Sequence, residues 1–182
     1  MLKGALYDEV KADKSAIFQA LSVVLLAGAS GAIGAAIIAW VDEGGDWTVL
    51  VGSLVAWGII VPVGSVFFWL MFSLIIYLLD AKLLKMSGSE PDWGQFARPL
   101  GFAYAPAVLG LFGAVPGIGL VLGGILPLWT LVAGVVAVKQ VLGTTSVLKA
   151  FGVWLSGLIA AFAIMVVIFA IFSCSLRIMS LN

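Results

Sequence analysis

Long uncharged apolar runs, each closed by charged or turn-forming residues, organise this chain. A bilayer hydrocarbon core about 30 Å thick calls for about 20 apolar residues in a helix rising 1.5 Å per residue, and five runs answer to that rule. The first covers 16–40, behind Asp13, Lys14 and Ser15, and ends at the acidic turn 41–46. Ser15 is its expected N-cap. The next stretch, 47–79, would measure about 50 Å as one helix, too long for one span and too short for two with a turn. The second span is therefore expected at 59–79, with 47–58 as an interfacial or partly re-entrant lead-in. Trp47 and Trp57 then lie at headgroup depth and Pro62 kinks the start of the span. After the polar segment 80–98, the third span is expected at 99–115, and Pro116-Gly117 turns the chain tightly into the fourth, 118–138, which carries Pro127. The fifth, 151–173, follows a loop in which Thr144, Thr145 and Ser146 offer caps.

Five spans also sort the charges. They place Lys3, Lys11, Lys14, Lys82, Lys85, Arg98, Lys139 and Lys149 on one side of the membrane and Arg177 alone on the other. By the positive-inside rule the N-terminus is cytoplasmic and the C-terminus outside. Dividing 47–79 into two spans would erase the bias. The expected fold is all-α, a single integral membrane domain over 1–182 built as a polytopic bundle of five transmembrane helices. A cleavable leader ending at Ala27-Gly28-Ala29 is not expected, because Asp8, Glu9 and Asp13 oppose a positive n-region and the apolar run continues past that point. No lipidation box is read at Leu2 or at Ser180-Leu181-Asn182.

Composition narrows the function. Of 182 residues, 63% are apolar and 10% charged, against roughly 45–50% and 25% in globular proteins, and the mean hydropathy is +1.24. Nine basic residues balance nine acidic ones, so no cationic surplus exists for nucleic acid. With no histidine and Cys174 as the one cysteine, neither an intramolecular disulfide nor a zinc set is expected. No metal or cofactor is expected, and the carboxylates form no recognisable constellation, so the chain is expected not to be an enzyme. Cys174 reads as a small apolar residue.

Small residues are informative because helix association in lipid depends on close packing. Ala27 with Gly31 and Ser30 with Gly34 make small-xxx-small pairs on the first span; Gly119 with Gly123 make one on the fourth, and Gly152, Ser156 and Ala160 a ridge on the fifth. These ridges serve either internal packing or a seam with a second copy or a partner. The run Gly117 to Gly123 is one residue too long for a dinucleotide-binding loop and has no strand before it. Pro106 and Pro127 fall in adjacent spans, where they either kink helices or flank a small cavity with Tyr104, Trp129 and Thr130. No ionisable group lies well inside a span, which weighs against ion coupling. In the segment 87–99, Trp93 and Phe96 are spaced to face lipid or a soluble partner from a short surface helix, with Arg98 at headgroup phosphate.

The same segment carries a family likeness. From Trp93 the chain runs Trp-Gly-Gln-Phe-Ala-Arg-Pro-Leu-Gly-Phe-Ala-Tyr-Ala-Pro to Pro106. A glycine-rich hairpin follows, then Trp129 in a span ending Ala137-Val138-Lys139-Gln140, then Lys149-Ala150. Over 59–172 this resembles the Yip-domain family of integral membrane proteins, Gly101-Phe102-Ala103-Tyr104-Ala105-Pro106 matching its Gly-aromatic-x-x-x-Pro pattern. The resemblance implies five spans and a cytoplasmic N-terminus. Eukaryotic members act in vesicle traffic and bind prenylated Rab-type GTPases through cytosolic regions. The short N-terminal tail here lacks their Asp-Leu-Tyr-Gly-Pro-like motif, so Rab binding is not implied; the compact form is similar to the prokaryotic branch, which implies a bacterial or archaeal cytoplasmic membrane. The expected function is a membrane organiser or adaptor that binds a protein partner or lipid at its cytoplasmic face through Trp93, Phe96 and Arg98. The alternative is a small transporter, channel or lipid-handling protein. Expected partners are membrane lipids, a protein partner or a second copy, and no nucleic acid.

Overall fold

The computed structural model describes residues 13, 15–85, 92–115 and 117–179, and all their regular structure is helical. Lys3, Lys11, Lys14, Pro116, the part of the polar segment at 86–91 and Ser180-Leu181-Asn182 lie outside the described residues. Helix α1 is Ala16–Asp42, α2 Trp47–Leu79, α3 Gly94–Phe102, α4 Ile118–Val141 and α5 Val147–Met179. A π-turn, Asp80–Leu84, prolongs α2, and a 3-10 helix, Ala105–Ala114, follows α3. By length and composition four segments are able to cross a membrane: Ala16–Asp42, Trp47–Leu84, Ile118–Val141 and Val147–Ile171.

Four departures from the expected elements have local causes. At the start of α1, Ser15 makes no cap bond with its side chain; Asp13 instead accepts from the Ser15 amide at 2.8 Å and the Ser15 hydroxyl at 2.7 Å. Helix α2 is continuous from Trp47, with no separate lead-in. Gly44 and Gly45 adopt φ of 72° and 86° to reverse the chain, and the Asp46 carboxylate then caps α2 by accepting from the Thr48 amide at 2.8 Å. The rings of Trp40 and Trp47 meet across this turn at 5.1 Å. The expected third span is not one helix but α3 and the 3-10 helix in series. Pro99 and Pro106 each remove an amide donor, and Gly101, Gly110 and Gly113 weaken helical propagation, so the i→i+3 pattern replaces the α pattern. Helix α5 starts at Val147, four residues before the expected Phe151, where Ser146 Oγ accepts from the Lys149 amide at 3.3 Å.

The core gathers toward one end. Trp69, Phe72 and Ile76 of α2 meet Phe96, Ala97 and Leu100 of α3, Ala137, Val138 and Val141 of α4, and Ala150 of α5, all buried. Helix α1 presents a buried small-residue stripe, Ala16, Ala20, Val24, Ala32 and Ala36. Close contacts need glycine at few points. A Cβ on Gly28 would stand 2.7 Å from Pro62 Cα, and one on Gly34 2.9 Å from the Gly110 carbonyl oxygen, which seats α2 and the 3-10 helix on α1. Gly119 meets the Gly113 carbonyl, and Gly157 meets Ile76, so closely that neither has room for a side chain.

Candidate functional site

The segment singled out by its sequence, 93–101, lies against α2 as an interlocked unit. Trp69 Nε1 donates to the Ala97 carbonyl at 2.9 Å, deep in the core. Trp93 Nε1 donates to Ser73 Oγ at 3.1 Å, while that hydroxyl donates to the Leu70 carbonyl at 2.9 Å. Each indole N–H thus finds the partner that an apolar interior demands. The rings of Tyr77 and Phe96 pack edge to face at 5.7 Å. Gly101 makes the fit possible: a Cβ there would stand 2.7 Å from Ala20 Cβ and 3.1 Å from Trp69 Nε1.

This arrangement turns the expected docking residues inward. Phe96 is fully buried, Arg98 is 4% exposed, and Trp93 is half-buried. The helix faces α2 because Trp69, Ser73 and Tyr77 supply its ring and hydrogen-bond partners, and none of these is visible from spacing within 93–98. Arg98 Nη2 lies 3.5 Å from Asp92 Oδ2. Asp13, at the foot of α1, is held below its ordinary carboxyl value by its hydrogen bonds with Ser15, with a smaller contribution from the Arg98 charge. Asp80, on the π-turn, is fully buried as well. One end of the bundle therefore holds the buried side chains of Arg98 and Asp80 near an edge-to-face aromatic pair, where the sequence pattern pointed to the surface.

The residues proposed to flank a midplane cavity separate. Tyr104 and Thr130 line an internal cavity of about 60 Å³ with Phe68, Phe72, Leu100 and Trp154. Pro127 lines a different, open groove of about 400 Å³ with Ile38, Gly110, Gly119 and Gly123. Pro106 is buried and lines neither, and Trp129 is half exposed on the outer surface. The small-residue ridges divide likewise. Ala27 is buried and Ser30 half-buried, but an added Cβ at Gly31 would meet nothing, and the tight contacts belong to Gly28 and Gly34. Gly152 and Ser156 line a groove of about 400 Å³ with Lys149, while the tight contact on α5 is at Gly157. A further groove of about 570 Å³, wholly apolar, runs between Phe67, Leu70, Met71 and Leu74 of α2 and Ile164 and Ile168 of α5, with Trp93 at its edge.

Comparison with protein-family models, with curated proteins and with solved structures finds no match for the chain.

Proposed function

We propose that the chain is a non-enzymatic organiser or adaptor of a bacterial or archaeal cytoplasmic membrane, with five spans and its N-terminus in the cytoplasm, which engages a protein partner or lipid at its cytoplasmic end. The observation that carries this reading is the interlocked Trp69–Ala97 and Trp93–Ser73 contact, which makes one end of the bundle a pre-formed unit. Binding to a surface already fixed avoids the cost of ordering it. The exposed Lys82, Lys85 and Asp92 give that end its readable charge.

Helical rise supports a crossing by the third segment. Past Arg98, four α residues at about 1.5 Å and ten 3-10 residues at about 2.0 Å reach about 26 Å, close to the thickness of the hydrocarbon core. That crossing puts Lys82, Lys85, Arg98, Lys139 and Lys149 on one side, and the resemblance to Yip-domain proteins favours the same topology. The transporter reading has less support: the cavity at Tyr104 and Thr130, about 60 Å³, holds only a few waters, and the larger groove at Pro127 between the third segment and α4 has no polar side chain in its lining to select a solute.

The test is extraction from the native membrane into lipid nanodiscs, with proteomics and native mass spectrometry of what co-purifies. A stoichiometric partner or lipid, lost in the K82E/K85E double variant, is expected. A chain recovered alone that conducts a solute across liposomes would overturn the proposal in favour of transport.

A further inference from the structure

The groove bearing Lys149 differs from the others in joining an apolar floor to a cation. Its walls are Leu79, Leu83 and Leu84 at the end of α2, and Gly152, Val153 and Ser156 in the first turns of α5, with Lys149 at its end. Two local features open it. The π-turn Asp80–Leu84 closes when Lys85 enters the left-handed region at φ 51°, and it leaves Leu83 74% and Leu84 39% exposed. Across the gap, a Cβ on Gly152 would touch nothing within 4 Å, so the floor is open by composition. At about 400 Å³ the groove falls within the roughly 300–1,000 Å³ of ordinary ligand sites.

We propose that this groove holds one acyl chain of an anionic phospholipid, with the lipid phosphate at the Lys149 ammonium; this rests on the reading of the chain as a lipid-binding membrane protein. Charge complementarity selects the occupant. Lys149 is exposed at the groove, Lys82 and Lys85 are exposed on the neighbouring turn, and Asp80, the carboxylate nearest in sequence, is buried. Leu79, Val153 and Ser156 belong to segments long and apolar enough to cross a membrane, while Leu83, Leu84 and Lys149 lie at their charged ends, so the groove runs from the hydrocarbon to headgroup level. A cation at the end of an apolar inter-helix groove is the arrangement that recognises anionic headgroups. The larger apolar groove at Met71 and Ile164 has no cation in its lining and serves as the internal control.

The test uses the whole protein in nanodiscs containing equal phosphatidylglycerol and phosphatidylcholine, released into detergent and read by native mass spectrometry. The wild type is expected to retain phosphatidylglycerol preferentially. K149Q should lose about fivefold of that preference, the effect of one interfacial lysine, and K149R should keep it. G152L, which fills the floor, should lower retention of both lipids, whereas M71F in the other groove should not alter the preference. Thermal unfolding of each variant separates loss of lipid from loss of fold. Unchanged preference in K149Q, or full retention in G152L, would overturn the proposal. So would a wild type that inserts and recovers a protein partner but keeps no lipid, an outcome that leaves the adaptor reading standing. Failure of the chain to remain in alkali-washed membranes would remove both.

Discussion

The contact of α1 with the 3-10 helix gives a prediction with its own control. Gly31 and Gly34 lie one turn apart in the same helix, so replacing either by alanine gains the same backbone propensity, at most about 1 kcal/mol. Their surroundings differ. The new methyl at Gly31 meets nothing within 4 Å, while at Gly34 it stands 2.9 Å from the Gly110 carbonyl oxygen and 3.7 Å from Leu111 Cα. Restoring ordinary contact requires about half an ångström of separation between two backbones, and neither has a flexible side chain to yield. Overpacking of that kind costs about 1–3 kcal/mol. G31A is therefore expected to be neutral or stabilising by up to about 1 kcal/mol, and G34A less stable than G31A by the overpacking cost, about 1–3 kcal/mol. Equilibrium unfolding in bicelles, followed by tryptophan fluorescence with both variants in the same lipid, measures the gap directly. If G34A proved as stable as G31A, the close approach of α1 to the 3-10 helix would be refuted.

Three other expectations follow from named contacts. W69F removes a fully buried hydrogen bond to the Ala97 carbonyl, which keeps its helical bond from the Gly101 amide, and should cost about 1–1.5 kcal/mol, whereas W93F, at a half-buried site where Ser73 keeps its bond to Leu70, should cost about 0.5 kcal/mol; the same unfolding assay ranks them. The Asp46 carboxyl is held below its ordinary value of 3.8 by the Thr48 amide and hydroxyl. Its capping contribution is complete above that value and lost as pH falls through the lowered one, so the Trp40–Trp47 fluorescence should change in acid, and D46N should abolish the change. In a Cys174→Ser background, Glu43→Cys and Val115→Cys should react with an impermeant maleimide from outside and Thr145→Cys only after permeabilisation. Reversal at 115 and 145 would mean that α3 and the 3-10 helix do not cross.

Helix type and approximate place were legible in the apolar runs, because only a helix satisfies its own backbone in lipid. Helix ends were less so. Membrane thickness led to a division of 47–79, yet no charge, cap or glycine pair interrupts that run until Asp80, and Pro62 sits where α2 rests on Gly28, so one helix forms. At the third span the prolines were visible, but their sum with three glycines, a change from α to 3-10 geometry, was not. The orientation of Trp93, Phe96 and Arg98 was hidden for a different reason. Spacing identifies which residues share a helix face, whereas the partners that decide where the face points, Trp69, Ser73 and Tyr77, are about 20 or more residues away in sequence. The same limit separates Gly31, read from a motif but meeting nothing, from Gly34, read from the matching motif and pressed against Gly110, and from Gly28, which no pair singled out and which seats Pro62.

Residue size also explains why α5 packs tightly on α2 and α4 around Gly157 and parts from α2 beyond Ala161. Where α5 crosses α2 and α4 it offers Gly157 to Ile76, and Trp154 fills the space above Gly134, its ring edge to face with Phe72 at 6.3 Å. Small residues let backbones approach, and in lipid that packing is what holds helices together, because no hydrophobic drive separates a neighbouring helix from an acyl chain. Past Ala161 the sequence turns bulky, and Phe162, Ile164, Met165, Ile168 and Phe169 are all exposed. Helices α2 and α5 accordingly part there and leave the apolar groove between Phe67 and Ile168. Local stability follows contact density, so the rigid surface lies at the end with Arg98, Asp80 and Lys149, and a ligand that requires fixed geometry finds it there rather than among the diverging helices.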